Sequence, residues 1–577
     1  MKGHHAMQPH HTCPKCPCYR STRPTIALPV LPTFIIIAVG LPLLALGACS
    51  DDSAGTQDGG GTDANQDAGL NDATFDDAAL NDAAGDARSN SDASTGPDAC
   101  PDPVPSDYCE AQGNGQCYYV DPANGDDANP GTWDHPWRTF INANNSIYTQ
   151  YRPDTWVGLK PGDVLYLMGG VHDSIYHPGD DSGPDGGGSA IIYMRQIQGE
   201  QQAPIVIKGF PGTHPILDPG HQGRGIAIAQ SSWVVIQGIE IQNAYNRGVR
   251  ISECDHVSLS RLLIHDTDGT VGDNVAGLEL LGSTNVEVAQ SVLYDNYDRT
   301  AAAAGSQTAN SCNMVIFRGG NITVHHSIFY QTHDRSGQES GCGLKYKHAS
   351  TDPEATFEVF DCTFENLKYF AIGTGTGNSS IHHNIIYGAP VALITKDFGG
   401  ITHQFNQHFS YNTIVDAMAL SVSPSLDWID DTNGPWDDVR DIGYDHNIVM
   451  APMENYTLER RTVLLNSYMS DELYLALKDE ISFQTNCYFN PSQPVSFGFA
   501  GAGGNYGDLG GFYDLSEWQA TYSYDMDSVE ADPGIADPAG MDFSLAADSP
   551  CLGLGALEGG HAPPLDKDFV FSCEDQQ

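Results

Sequence analysis

Lysine is nearly absent from this chain. Beyond residue 48 there are only eight, Lys160, Lys208, Lys345, Lys347, Lys368, Lys396, Lys478 and Lys567. The 577 residues set 26 lysines and arginines against 74 aspartates and glutamates, a formal net charge of −48. Nucleic-acid phosphates need a basic face, so this balance argues against a nucleic-acid partner. Helical periodicity is also missing, which argues against an all-α fold or a βαβ fold. The Gly-rich stretch PGDDSGPDGGGSA at 178–190 lacks a following GK[ST], so it does not read as a phosphate-binding loop.

A long apolar run occurs once, TIALPVLPTFIIIAVGLPLLALGA at 25–48, behind Lys2, Lys15, Arg20 and Arg23 and in front of Cys49. A basic start, an apolar middle and small residues before a cysteine read as a bacterial lipoprotein signal, with Cys49 acylated as the first mature residue. The competing reading is a transmembrane anchor, but Pro29, Pro32 and Pro42 interrupt the run. Residues 1–48 are therefore expected to be a signal peptide. The chain is expected in the cell envelope of a Gram-negative-type bacterium, touching membrane only through its lipid. Ser50 in place of an aspartate favours the outer membrane or cell surface.

Residues 51–107 hold fourteen aspartates, one arginine (Arg88) and little apolar mass. Such a segment buries too little surface to offset its chain entropy, so 49–107 reads as a disordered, self-repelling tether. The domain is then 108–577, with 60 acidic and 21 basic residues. Ten cysteines follow Cys49, an even number in an oxidising compartment, so disulfides are expected there. Cys100, Cys109 and Cys117 fall at the domain entrance, with their pairing open.

Within the domain one pattern recurs. IQGIEIQ begins at Ile236, LSRLLIH at Leu259, VAQSVLY at Val288, VHHSIFY at Val324, VFDCTFE at Val359, IHHNIIY at Ile381, FSYNTIV at Phe409 and YDHNIVM at Tyr444. The starts are 23, 29, 36, 35, 22, 28 and 35 residues apart. A fixed motif at such intervals marks a solenoid whose rungs carry loops of different length. Short β-rich runs and uneven spacing disfavour a propeller. The expected fold is all-β, a right-handed parallel β-helix of roughly eight to eleven coils. The fourth motif position carries Ser291, Ser327, Cys362, Asn384, Asn412 and Asn447, candidates for an internal ladder of side-chain hydrogen bonds.

The opening CYYVDPANGDDANPGTWDHPWRTF, then LKPGDVLYLMGGVH and APIVIKGFPGTHPILD, resembles the N-terminal part of secreted right-handed β-helix proteins. That group includes the pectate lyases of family nine. The close, ADPGIADPAGMDFSLAADSPCLGLGA, resembles their last rung and cap. Alternation places Leu344 and Tyr346 of GLKY inside and Lys345 and Lys347 outside, with Glu279 of GLEL and Arg250 of GVRI outside in the same register. Rungs about 4.8 Å apart put Lys345 and Glu279 roughly 10 Å from each other.

The resemblance implies a base at Lys345, because the family's base lysine sits in a strand like GLKY. It also implies a calcium site from acidic residues, for which DNVAGLE offers Asp273 and Glu279, and LYDNYDRT offers Asp295 and Asp298. Cations near the base lower a lysine pKa and spread enolate charge, a role open to Lys347, Lys368, Arg318 and Arg335, which are also candidates to bind substrate. The expected partner is a polysaccharide, cleaved at uronate residues by β-elimination. The alternative is a non-catalytic glycan-binding or structural rod. The NTD, DD, GHG and RIK signatures of polygalacturonase-type hydrolases are not found together here. LDWIDDTNGPWDDVRDIG (426–443) reads as a sugar-binding loop or an acidic insert. His325-His326 and His382-His383 resemble metal ligands, but strand alternation would send neighbours to opposite faces and prevent a shared ion.

Overall fold

A computed structural model describes residues 108–145, 152–177, 188–269, 275–298, 311–332, 341–396, 404–423, 439–451, 463–466, 478–500 and 512–568. The expected signal peptide, Cys49, the tether, Cys100, Asp273, Arg335 and most of the 426–443 stretch lie outside these residues.

The chain folds as the expected parallel β-helix. One sheet is twelve-stranded and runs from Ala190–Arg195 through Cys342–His348 to Phe497–Ala500. All its pairings are parallel except the last, between Phe497–Ala500 and Phe512–Tyr513. The remaining coil strands form a continuous set of 22. Ile, Val and Leu from every coil meet in one interior cluster, which includes Leu344 and Tyr346 as the alternation predicted.

Each motif is a corner between two strands. In VHHSIFY, strand Gly320–His325 ends, His326 turns, Ser327 points inward and Ile328–Tyr330 begins. The turning residue is left-handed in coil after coil: Gly238 (φ 67°), Arg261 (53°), Gln290 (49°), His326 (49°), Asp361 (50°), His383 (53°), Tyr411 (53°) and His446 (56°). Non-glycine residues enter this region at a cost, and here the ladder beside it supplies the compensation. Asn384 Oδ1 accepts from the Cys362 N–H at 3.0 Å, Asn412 Oδ1 from Asn384 N–H at 3.1 Å, and Asn447 Oδ1 from Asn412 N–H at 2.8 Å. Asn486 extends the series, accepting from Asn447 N–H at 2.9 Å. The buried polar row predicted from the motif is therefore present, and it satisfies backbone donors that the turn frees.

At the C-terminal end, helix Leu515–Tyr522 starts at an Asp514–Glu517 capping box and lays fully buried Trp518 on Phe497. Disulfides join Cys109 to Cys117, Cys312 to Cys342 and Cys487 to Cys551. From Cys551 the chain doubles back over the coils as a strap. Gly555 N–H donates to His446 O, Ala556 N–H to Thr413 Oγ1, and Thr363 Oγ1 to Pro564 O. Lys567 pairs with Glu365 at 2.7 Å.

Candidate functional site

The two strand sets carry opposite charge. Strands of the twelve-stranded sheet hold seven cations (Arg195, Arg224, Arg247, Arg250, Lys345, Lys347 and Lys396) and a single carboxylate, Glu279. Strands of the 22-member set hold three cations, Lys208, Arg261 and Arg440, and eight carboxylates. In so acidic a chain, the strands of this one sheet are the basic ones.

Register stacks Arg250, Glu279, Val315, Lys345 and Gly373 in one outward column on successive coils. Lys345 and Glu279 thus share a face two rungs apart, as the alternation required. Both are buried, at 3% and 2% exposure. An apolar layer surrounds the column, built from Ala276, Cys312, Val315, Cys342, Phe370, Val391 and Ile394. The Cys312–Cys342 bridge joins the two coils three residues before Lys345. A bulge follows: Phe317 pairs with His348, so Lys347 is the extra residue, and bulges re-aim side chains. Its Nζ lies 5.8 Å over the Phe317 ring. Arg318 occupies an exposed left-handed turn (φ 56°), and Lys368 is half-buried before strand Phe370–Thr374.

Glu279 is held by arginines. Arg247 Nε donates to Oε2 at 2.7 Å, and Arg250 Nε lies 3.0 Å from Oε1. Burial alone would raise this carboxyl, but the charges of Arg247, Arg250 and Arg224 outweigh it and hold it below the usual carboxylate range. Of the expected ligands, Glu279 does not suit calcium, which needs several oxygens around one point; Asp273 lies outside the described residues. Glu279 is already neutralised by guanidinium groups. Asp295 spends its oxygens on Thr332, at 2.9 Å to the N–H and also on the hydroxyl. Asp298 is a buried residue whose N–H donates to Ser311 Oγ. No three His, Cys, Asp or Glu side chains among the described residues are arranged to hold a metal.

Arg224 and Arg247 were not singled out by sequence reasoning. Their signal is RG at the start of adjacent strands, RGIAIA and RGVRIS, directly before GLEL.

The acidic set has its own buried charge group. His265 is flanked by Asp266 (Nδ1 to Oδ2, 2.8 Å) and Glu240 (Nε2 to Oε1, 3.2 Å), and its ring stacks on Tyr294. Burial lowers the imidazole, yet the hydrogen bonds and charges of the two carboxylates raise it to about 9. That contribution, on the order of 2 kcal/mol, is fully present below the ordinary histidine value and lost as pH rises through 9. His265→Phe, which keeps the stack, is expected to lower the melting temperature at pH 6. It is also expected to flatten the decline between pH 7 and 9. Parallel wild-type and variant curves across that window would contradict the assignment.

The fold defines a right-handed parallel β-helix protein. The family model for the right handed beta helix region matches residues 222–407. No curated relative matches the sequence. Among solved structures, pectate lyase Pel9A is 14% identical over 78% of this chain and 96% of its own, with a TM-score of 0.38. The GH136 lacto-N-biosidase from Eubacterium ramulus is 14% identical over 65% and 64%, TM-score 0.38. PfbA, a surface adhesin of Streptococcus pneumoniae, is 11% identical over 58% and 82%, TM-score 0.30. These likenesses concern fold alone.

Proposed function

We infer that this chain is a surface-tethered carbohydrate-active protein whose basic sheet takes an acidic polysaccharide, and that it cleaves uronate linkages by β-elimination. The observation that carries the reading is the concentration of seven cations against one carboxylate on that sheet. Lys345 is the base. Its neutral amine removes the proton alpha to the uronate carboxylate, the electron pair forms the new C4–C5 double bond, and the C4–O glycosidic bond breaks. The leaving oxygen takes a proton, returned by Lys345 or by water. Lys347, Arg318, Lys368 and Arg335 are assigned to substrate carboxylates, whose developing enolate charge nearby cations stabilise. Calcium has no step in this scheme, because Glu279 already has its counter-ions. The anchor at Cys49 and the outer-membrane or cell-surface location belong to the same proposal.

A second reading is a glycan-binding rod without catalysis. The burial of Lys345 favours it.

The test follows ultraviolet absorbance of the unsaturated product with pectate, alginate and chondroitin sulfate, in parallel with binding of acidic and neutral glycans. For a lyase, Lys345→Ala is expected to lower the rate by about 10²–10⁴ with binding retained. Binding of acidic glycans without absorbance change supports the rod. Absence of both would refute the role given to the basic sheet.

A further inference from the structure

The paired histidines occupy equivalent corners two coils apart, and strand alternation misjudges them. The second member of each pair is left-handed, His326 at φ 49° and His383 at φ 53°. That turn swings its ring back toward the first. His325 Nδ1 and His326 Nδ1 are 2.9 Å apart, and His382 Nδ1 and His383 Nδ1 are 2.8 Å apart. All four rings are partly exposed, so the pairs are accessible.

Three of the four far nitrogens face carboxylates. His325 Nε2 lies 3.2 Å from Glu287 Oε1, His326 Nε2 lies 3.6 Å from Asp361 Oδ2, and His382 Nε2 lies 3.3 Å from Glu358 Oε1. A carboxylate only accepts, so it favours the tautomer with hydrogen on Nε2 and a lone pair on Nδ1. In the first pair a hydrogen bond orients His325 this way and the charge of Asp361, 3.6 Å off, favours the same for His326, so that two lone pairs meet at 2.9 Å. Such an arrangement calls for a cation between them. A carboxylate behind the remote nitrogen is also how metal-binding imidazoles are commonly held.

We propose that His325–His326 and His382–His383 are two cation clips, each taking one divalent transition-metal ion of the Cu²⁺ or Ni²⁺ class. An ion about 2.0–2.1 Å from both nitrogens, the usual metal–imidazole distance, subtends about 90° across these separations. That angle suits the tetragonal preference of Cu²⁺ and Ni²⁺ better than tetrahedral zinc. Two imidazoles and water complete each site, consistent with the lack of any three-residue cluster among the described residues. Asp361 is a positioning residue for the first clip, and its Oδ1 also holds His561 of the strap at 2.7 Å.

The test titrates the full chain with Cu²⁺, read by calorimetry and electron paramagnetic resonance. His325→Phe and His382→Phe leave the left-handed turns untouched and keep a ring against Phe360, on which both histidines stack. Histidines and cysteines elsewhere contribute equally to every variant. Each single variant is expected to lose one bound ion, the double variant two, with loss of the two-imidazole nitrogen pattern in the spectrum. Asp361→Asn should weaken the first clip several-fold and the second less, through His561, which stacks on His383 at 3.6 Å. His326→Asn, tolerant of the left-handed turn, repeats the loss if a phenylalanine variant misfolds. Superimposable isotherms for wild type and a folded double variant would mean a proton, not a metal, closes each pair, and would overturn the proposal.

Discussion

Glu279→Ala is expected to destabilise the protein by about 3–5 kcal/mol, the usual cost of removing one partner from a buried ion pair. The carboxylate is 2% exposed and both its oxygens face arginine. Its loss leaves Arg247 and Arg250 as neighbouring like charges beneath an apolar layer. Glu279→Gln keeps the volume and loses the charge, so it should fall between wild type and alanine. Replacing Arg247, Arg250 and Glu279 together by apolar residues of similar size should recover most of the loss, because the penalty lies in the orphaned charge. Urea unfolding measures all three. A shift under about 1 kcal/mol for Glu279→Ala would mean the arginines do not depend on Glu279. If instead Glu279 positions substrate, the alanine variant should lose acidic-glycan binding at conditions where it remains folded.

The second large effect is expected at Asn447, which is fully buried. Its Oδ1 accepts from Asn412 N–H and Asn412 Nδ2, and its Nδ2 donates to Phe409 O and Asp445 O. Alanine strands several groups that water cannot reach, each worth about 1–3 kcal/mol unsatisfied, so a loss of about 3–4 kcal/mol is expected. Serine stands at this position in earlier coils, where Ser327 Oγ accepts from Ser291 N–H, and Asn447→Ser should lose roughly half as much. Asn406 is a control: it is itself left-handed (φ 51°) and exposed, whereas Asn447 follows the left-handed His446. Asn406→Ala should stay under about 1 kcal/mol. Equal losses at 406 and 447 would mean that burial in the ladder does not set the cost.

The motif at 236–450 was a good guide because it coincides with one physical object, the corner. Its fourth residue must point inward to meet freed backbone donors, so small polar residues recur there and can be found by eye. Alternation likewise placed Lys345, Glu279 and Arg250 outside and Leu344 and Tyr346 inside, since a strand leaves no other choice. It failed one residue before the ladder. A left-handed residue breaks the two-residue period, and His326, His383 and Tyr411 carry no glycine to signal the break. Ion-pair partners were harder still. Glu279 lies 32 residues from Arg247 in sequence, and the coils' unequal lengths hide that they are neighbours.

Solenoids ordinarily hold together by contacts between adjacent rungs and can fray from an end. The strap alters that rule. His561 reaches Asp361 across 200 residues of sequence and Pro564 reaches Thr363 across 201, so residues made late are fastened to coils made long before. During synthesis the middle coils can stack early but stay unfastened until the strap has been made. Once latched, a stack built to peel away rung by rung is made to let go as a unit.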